Sequence, residues 1–121
     1  MIELKIDPVA KPRMTRSDVW KHRPIVDRYY AFKDHLKMLC NLQHFELGDK
    51  FRVEFYIRMP DSWSKSKREG MLNKPHQQKP DLDNLVKSVN DCLVINDEVI
   101  YYIEASKVWW EEGKIVFYNI K

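Results

Sequence analysis

The chain has 121 residues, of which 44% are hydrophobic and 32% charged, with 3 Gly, 6 Pro and 2 Cys. These proportions exclude collagen-like, low-complexity and wholly disordered classes, and the length predicts a single domain, residues 1–121, with a core of modest size. The net charge is only +3, but it is unevenly placed: six Lys/Arg against two Asp over Lys11–Arg28, five against two acids over Asp61–Pro80, and one lysine against six acids over Asp81–Glu104. A basic surface that meets a dense acidic cluster suits a protein that holds a polyanion beside bound cations, although a merely patchy solvated surface has the same composition.

No run approaches the roughly 18–20 apolar residues of a membrane span. Charges at Glu3, Lys5, Asp7, Lys11, Arg13, Arg16 and Asp18 leave no apolar stretch for a secretion signal. The expected location is the cytoplasm, with no membrane partner and no nucleotide cofactor. Cys40 and Cys92 fit no zinc or disulfide framework and read as reduced, buried thiols.

In chain order, Ile2, Leu4 and Ile6 alternate with polar residues and predict a short strand. Lys11 to Arg23 is basic, with Pro12 and Pro24 at its borders, and reads as an extended loop. Ile25, Tyr29, Phe32, Leu36, Leu39 and Cys40 recur at helical spacing, and Pro24 suits the first turn of that helix. Phe51, Val53, Phe55, Ile57 and Met59 alternate with Arg52, Glu54, Tyr56 and Arg58, the cleanest strand pattern in the sequence. Pro60 ends it, and Asp61 to Lys79 is expected to be a mobile polar loop, with Trp63 as a local anchor or a base-stacking ring.

A second helix is predicted from about Leu82 to Val94, with Leu82, Leu85, Val86, Val89 and Leu93 on one face. Two aromatic-rich strands follow, roughly Val99–Trp110 and Lys114–Ile120, joined by a hairpin connection at Glu111-Glu112-Gly113. Tyr101, Tyr102, Trp109 and Trp110 are expected to build a sheet face or a subunit contact. His22, His35, His44 and His76 show no metal-ligand spacing. The order β-α-β-α-β-β predicts an α+β (mixed α/β) fold, with two helices on a small mixed sheet.

The stretch with chemical content is Pro80-Asp81-Leu82-Asp83-Asn84-Leu85-Val86-Lys87. Asp81 falls at the expected helix N-cap and Asp83 in the first turn. Asp83, Lys87 and Asp91 follow at i+4 steps and form one polar stripe. Asp97 and Glu98 follow the helix, so up to four carboxylates are candidates to converge beside one lysine. Two readings compete. In one, Asp81 caps the helix and the stripe is a set of ordinary ion pairs. In the other, the carboxylates hold a hard cation such as Mg²⁺, which activates water for phosphodiester hydrolysis while the lysine offsets developing charge.

The run Lys79-Pro80-Asp81-Leu82-Asp83-Asn84-Leu85, with Lys87, Asp91 and Asn96-Asp97-Glu98-Val99-Ile100, resembles the RusA-type Holliday junction resolvases (crossover junction endodeoxyribonucleases). The sharp match covers Lys79 to Ile100, and the basic Lys11-Pro12-Arg13 segment and the chain length are also similar. The resemblance implies a Mg²⁺-dependent homodimer, with Mn²⁺ as a substitute, that resolves branched DNA by paired nicks in recombination and repair. It implies Asp81, Asp83 and Asp97 as metal-binding catalytic carboxylates and Lys87 as the catalytic lysine. Asp91, Asn96 and Glu98 take supporting places. Lys11, Arg13, Arg16, Lys65, Lys67, Arg68 and Lys79 are the candidate DNA contacts, with Lys21 and Arg23 in the same basic loop. Asn96 stands where the family usually has a first Asp, and the Asp91–Asp97 interval is shorter than usual. That departure motivates the alternative of a branched-DNA-binding protein with weak or no catalysis; a third reading keeps the nuclease but acts on flaps.

Overall fold

The alternation around Phe51 forms strand β2 (Lys50–Arg58), and the strand occupies the interior of a four-stranded sheet. Its companions are β1 (Ile2–Leu4), β3 (Tyr102–Trp110) and β4 (Lys114–Asn119), in the spatial order β1-β4-β2-β3. The computed structural model describes residues 1–13, 15, 23–94 and 96–121. β4 runs antiparallel to both β1 and β2, whereas β3 runs parallel to β2 over Lys50↔Tyr102 to Arg58↔Trp110. A parallel pair requires a crossover, and the chain between β2 and β3 supplies it in the helices α2 (Lys65–Met71) and α3 (Leu82–Leu93). The mixed α+β architecture expected from the element order is therefore present, with one short helix more among the described residues than the two predicted.

The hairpin expected at Glu111–Gly113 does not form, because β2 lies between β3 and β4. Those three residues instead cross the end of β2, where the Met59 amide donates to the Trp110 carbonyl at 3.0 Å. Two strand spacings are about 10 Å, within reach of three extended residues. Gly113 is required there by close approach, since a Cβ would fall on Asp7.

Helix α1 (Pro24–Leu42) and α3 pack on one face of the sheet. Val26, Tyr29, Phe32, Leu36 and Cys40 are the buried residues of α1; Ile25, expected on this face, is exposed, and Val26 takes its place. The difference is one residue at the first turn, where the 3.6-residue period leaves two neighbours as candidates for one stripe. Leu85 and Val89 of α3 are fully buried against Phe51, Val53, Phe55, Ile115 and Phe117 of the sheet. The opposite sheet face carries the polar partners of the alternation, with Arg52 bonded to Glu54 and Glu104 and the Tyr56 and Tyr118 hydroxyls donating to Glu54.

The segment expected to be a mobile loop is built instead. Ser64 caps α2 by accepting from the Lys67 amide at 3.2 Å. The Trp63 ring packs on Trp109, with centroids 4.7 Å apart, which makes it the local anchor. Residues 73–76 then lie along the outer edge of β3, through Asn73 N–H to Trp109 O, Trp109 N–H to Lys74 O and His76 N–H to Lys107 O. This pairing satisfies an otherwise open sheet edge, a tertiary gain that local polarity does not reveal. It also fixes the path of the chain into α3.

Candidate functional site

Asp81 occupies the N-cap position of α3 with extended backbone, but its side chain caps nothing. Its Oδ2 instead accepts from the exposed Lys79 Nζ at 2.9 Å. Asp83 is exposed in the first turn, with Lys87 Nζ 3.8 Å from its Oδ2. The capping reading of Asp81 is thus not realised, and the Asp83–Lys87 pair is loose and solvated, worth a few tenths of a kcal/mol at most. Both carboxylates retain oxygens free for a hard cation, and the positive end of the helix favours anionic side chains there.

Asp97 lies elsewhere. α3 has 12 residues, a rise of about 18 Å, and Asp97 follows its far end in a single 3₁₀ turn (Asp97–Val99). The strand register agrees: Lys107 of β3 reaches the Pro80 carbonyl at the start of α3, whereas Tyr101, before the strand, donates to Asp49 O at the other end of the sheet. Among the described residues, no three His, Cys, Asp or Glu side chains are grouped to hold a metal. The expected convergence of four carboxylates beside Lys87 is therefore not formed within one chain, because the rigid helix holds its two ends apart. Near Asp97, the exposed Asn96 amide donates to Glu98 Oε1 at 3.1 Å.

Asp91, on the polar stripe, does not pair with Lys87. Its Oδ2 accepts from Tyr29 Oη and lies against Lys11 Nζ, each at 2.7 Å. Burial opposes ionisation of Asp91, but the bonds from Lys11 and Tyr29 outweigh it and hold the carboxyl below the usual aspartate range. Burial and the bond to Asp91 push the Tyr29 hydroxyl well above its ordinary value. The Lys11 amide also donates to Asn84 O at 3.1 Å. The first basic segment is thus strapped to α3 at two points, which leaves a cleft of about 580 Å³ lined by Lys11, Pro12, Arg13, Asn84 and Lys87. Arg13, Lys87 and Asn84 line it, with Lys11 held by Asp91, a setting suited to phosphate.

The second basic cluster is partly engaged. Lys67 lies 4.3 Å over the Trp63 ring, and the Arg68 guanidinium donates to Pro60 O at 2.9 Å. Lys65 lines a cleft of about 570 Å³ with Arg58 and Arg68, but Glu69, Glu111 and Glu112 share it and weaken its suitability for a polyanion. Arg23 donates to Arg13 O at 2.9 Å. Arg16, Lys21 and His22 lie outside the described residues. Two contributors escaped the sequence reading. Tyr29 was expected only on the apolar face of the first helix, and Lys107 was not singled out. Lys107 donates to Gln78 O at 2.6 Å and Pro80 O at 2.7 Å, immediately before Asp81. The visible signal for Lys107 was a cation between Ala105 and Trp109 on an otherwise apolar strand face.

The family model described as Endodeoxyribonuclease RusA matches residues 5–117. The chain belongs to the RusA endodeoxyribonuclease family. The match takes in the basic segment, α3, the 3₁₀ turn, β2, β3 and β4 as far as Phe117, leaving β1 outside it, and it agrees with the resemblance carried by Lys79–Ile100. Family membership makes the chain a nuclease. No curated protein matches the chain.

Proposed function

We propose that the protein is a Mg²⁺-dependent endonuclease that resolves four-way DNA junctions by paired nicks and acts as a homodimer. The observation that carries this reading is the juxtaposition at the start of α3. The exposed Asp83, 3.8 Å from Lys87, adjoins a cleft lined by Lys11, Arg13, Asn84 and Lys87, and the uncapped Asp81 begins the same helix. Their oxygens suit Mg²⁺, with Mn²⁺ as a substitute. A bound divalent cation would supply Lewis-acid polarisation of the scissile phosphate. Arg13 and Lys87 neutralise phosphate oxygens in the cleft, and Lys87 offsets charge that develops during displacement. The Asn84 amide is placed to orient a phosphate, while Lys11 acts mainly through its tie to Asp91.

The separation of Asp97 from Asp81 and Asp83 supports the homodimer. A site that uses all three receives Asp97 from a second copy, and a two-fold pair creates two such sites for two symmetric nicks. The lack of a grouped carboxylate set within one chain, among the described residues, equally favours the alternative, a branched-DNA-binding protein without useful catalysis. Cleavage of a synthetic four-way junction by the wild-type chain and D83N, with Mg²⁺ and with EDTA, separates the two. Paired nicks that require both Mg²⁺ and Asp83 support the resolvase. Tight junction binding with no nicking overturns it, and faster cutting of a flap than of the junction reassigns the substrate.

A further inference from the structure

We propose that Lys107 is a positioning residue that fixes Asp81 for cation binding by clamping the turn before α3. The assignment rests on the metal-dependent reading of the site given above. Lys107 is paired with Phe55, and on its own strand Ile103, Ala105 and Trp109 face the same, helix-covered side. Lys107 is half-buried there, and its ammonium is hydrogen-bonded within the chain. Its two acceptors are backbone carbonyls of Gln78 and Pro80, at 2.6 and 2.7 Å, within the three residues that precede Asp81. The Lys107 carbonyl also accepts the His76 amide at 3.1 Å. One residue therefore holds this turn by both its main chain and its side chain.

The clamp matters because Asp81 has no anchor of its own. Its carboxylate makes no capping bond, and its side-chain partner is the highly exposed Lys79. The place of its oxygens is set by the backbone at Pro80 and Asp81, and Lys107 sets that backbone from the rigid sheet. A lysine has three N–H donors; two are used by the turn, and the ammonium lies near enough to Asp81 for their charges to interact. Burial and the Lys79 charge lower its basicity, against the opposing pull of Asp81. Residues that orient metal ligands in this way typically change metal affinity or activity by about 10–100-fold when they are lost.

The test uses the full chain as K107M, K107R and E104Q. Glu104 is on the opposite sheet face and reports any general effect of disturbing β3. Mn²⁺ alone is titrated into each metal-free chain by calorimetry, and the Mg²⁺ concentration for half-maximal junction cleavage is measured in parallel. We expect K107M to weaken Mn²⁺ binding and raise the Mg²⁺ requirement by about 10-fold or more. K107R should recover most of both, and E104Q should change neither. A folded K107M with wild-type Mn²⁺ affinity and Mg²⁺ requirement overturns the assignment of Lys107 alone. A wild-type chain that binds no Mn²⁺ overturns the metal reading and this inference with it. Should K107M fail to fold, K107Q retains an amide donor for one carbonyl and the same two titrations decide.

Discussion

The strap between Lys11 and Asp91 provides the sharpest energetic prediction. The pair is close, at 2.7 Å, with side chains 35% and 27% exposed. A charge-assisted hydrogen bond sheltered from water contributes about 1.5–3 kcal/mol, and a fully exposed ion pair about 0.2–1 kcal/mol. Partial exposure and the entropy of holding a lysine place this one at about 1 kcal/mol. In a double-mutant cycle of K11M, D91N and the double variant, read by urea unfolding at pH 7, the coupling should be about that size. The side-chain carbonyl introduced by D91N still accepts from Tyr29, so the cycle isolates the ionic part. Because Asp91 titrates lower in the folded chain than when unfolded, its contribution is fully present above the ordinary aspartate range. It is lost as pH falls through the depressed folded-state value. The coupling should therefore vanish in acid and persist at neutral pH. A coupling below about 0.3 kcal/mol at pH 7 would refute the strap. Weakened Mn²⁺ binding by D91N, with the coupling absent, would make Asp91 a metal ligand instead.

Other outcomes follow from the same geometry. D81N should fold normally yet lower Mg²⁺-dependent junction cleavage by about 100-fold or more; near-wild-type rates would remove Asp81 from the site. Leu85→Ala, at a fully buried position facing the sheet, should cost about 3 kcal/mol and lower Tm by roughly 10 °C in a thermal melt. Burial, with the nearby Cys92, pushes the Cys40 thiol up to about 11. Iodoacetamide at pH 8 should label Cys40 only as fast as the chain unfolds, and rapid labelling of the native protein would contradict its burial.

What could be read from the sequence was whatever depends on periodicity and short spacing. The alternation around Phe51 specifies a strand buried on one face, and the Leu85–Val89 stripe specifies a helix that covers it, because burial follows the local geometry of each element. The DLDN motif with Lys87 placed the candidate carboxylates and lysine on α3 for the same reason: one helical turn brings them together whatever the rest of the chain does. Strand neighbours, in contrast, are chosen by global packing. Consecutive β3 and β4 look like a hairpin, yet β2 is inserted between them. The polar 61–79 segment looks mobile, yet it completes the edge of β3. The same distinction governs the site. Residue spacing cannot show that α3 holds Asp97 far from Asp83, that Asp91 turns to Lys11 and Tyr29, or that Lys107 grips the turn before Asp81. Those relations join residues tens of positions apart, and only the packing of the helices and β3 brings them into contact or keeps them separate.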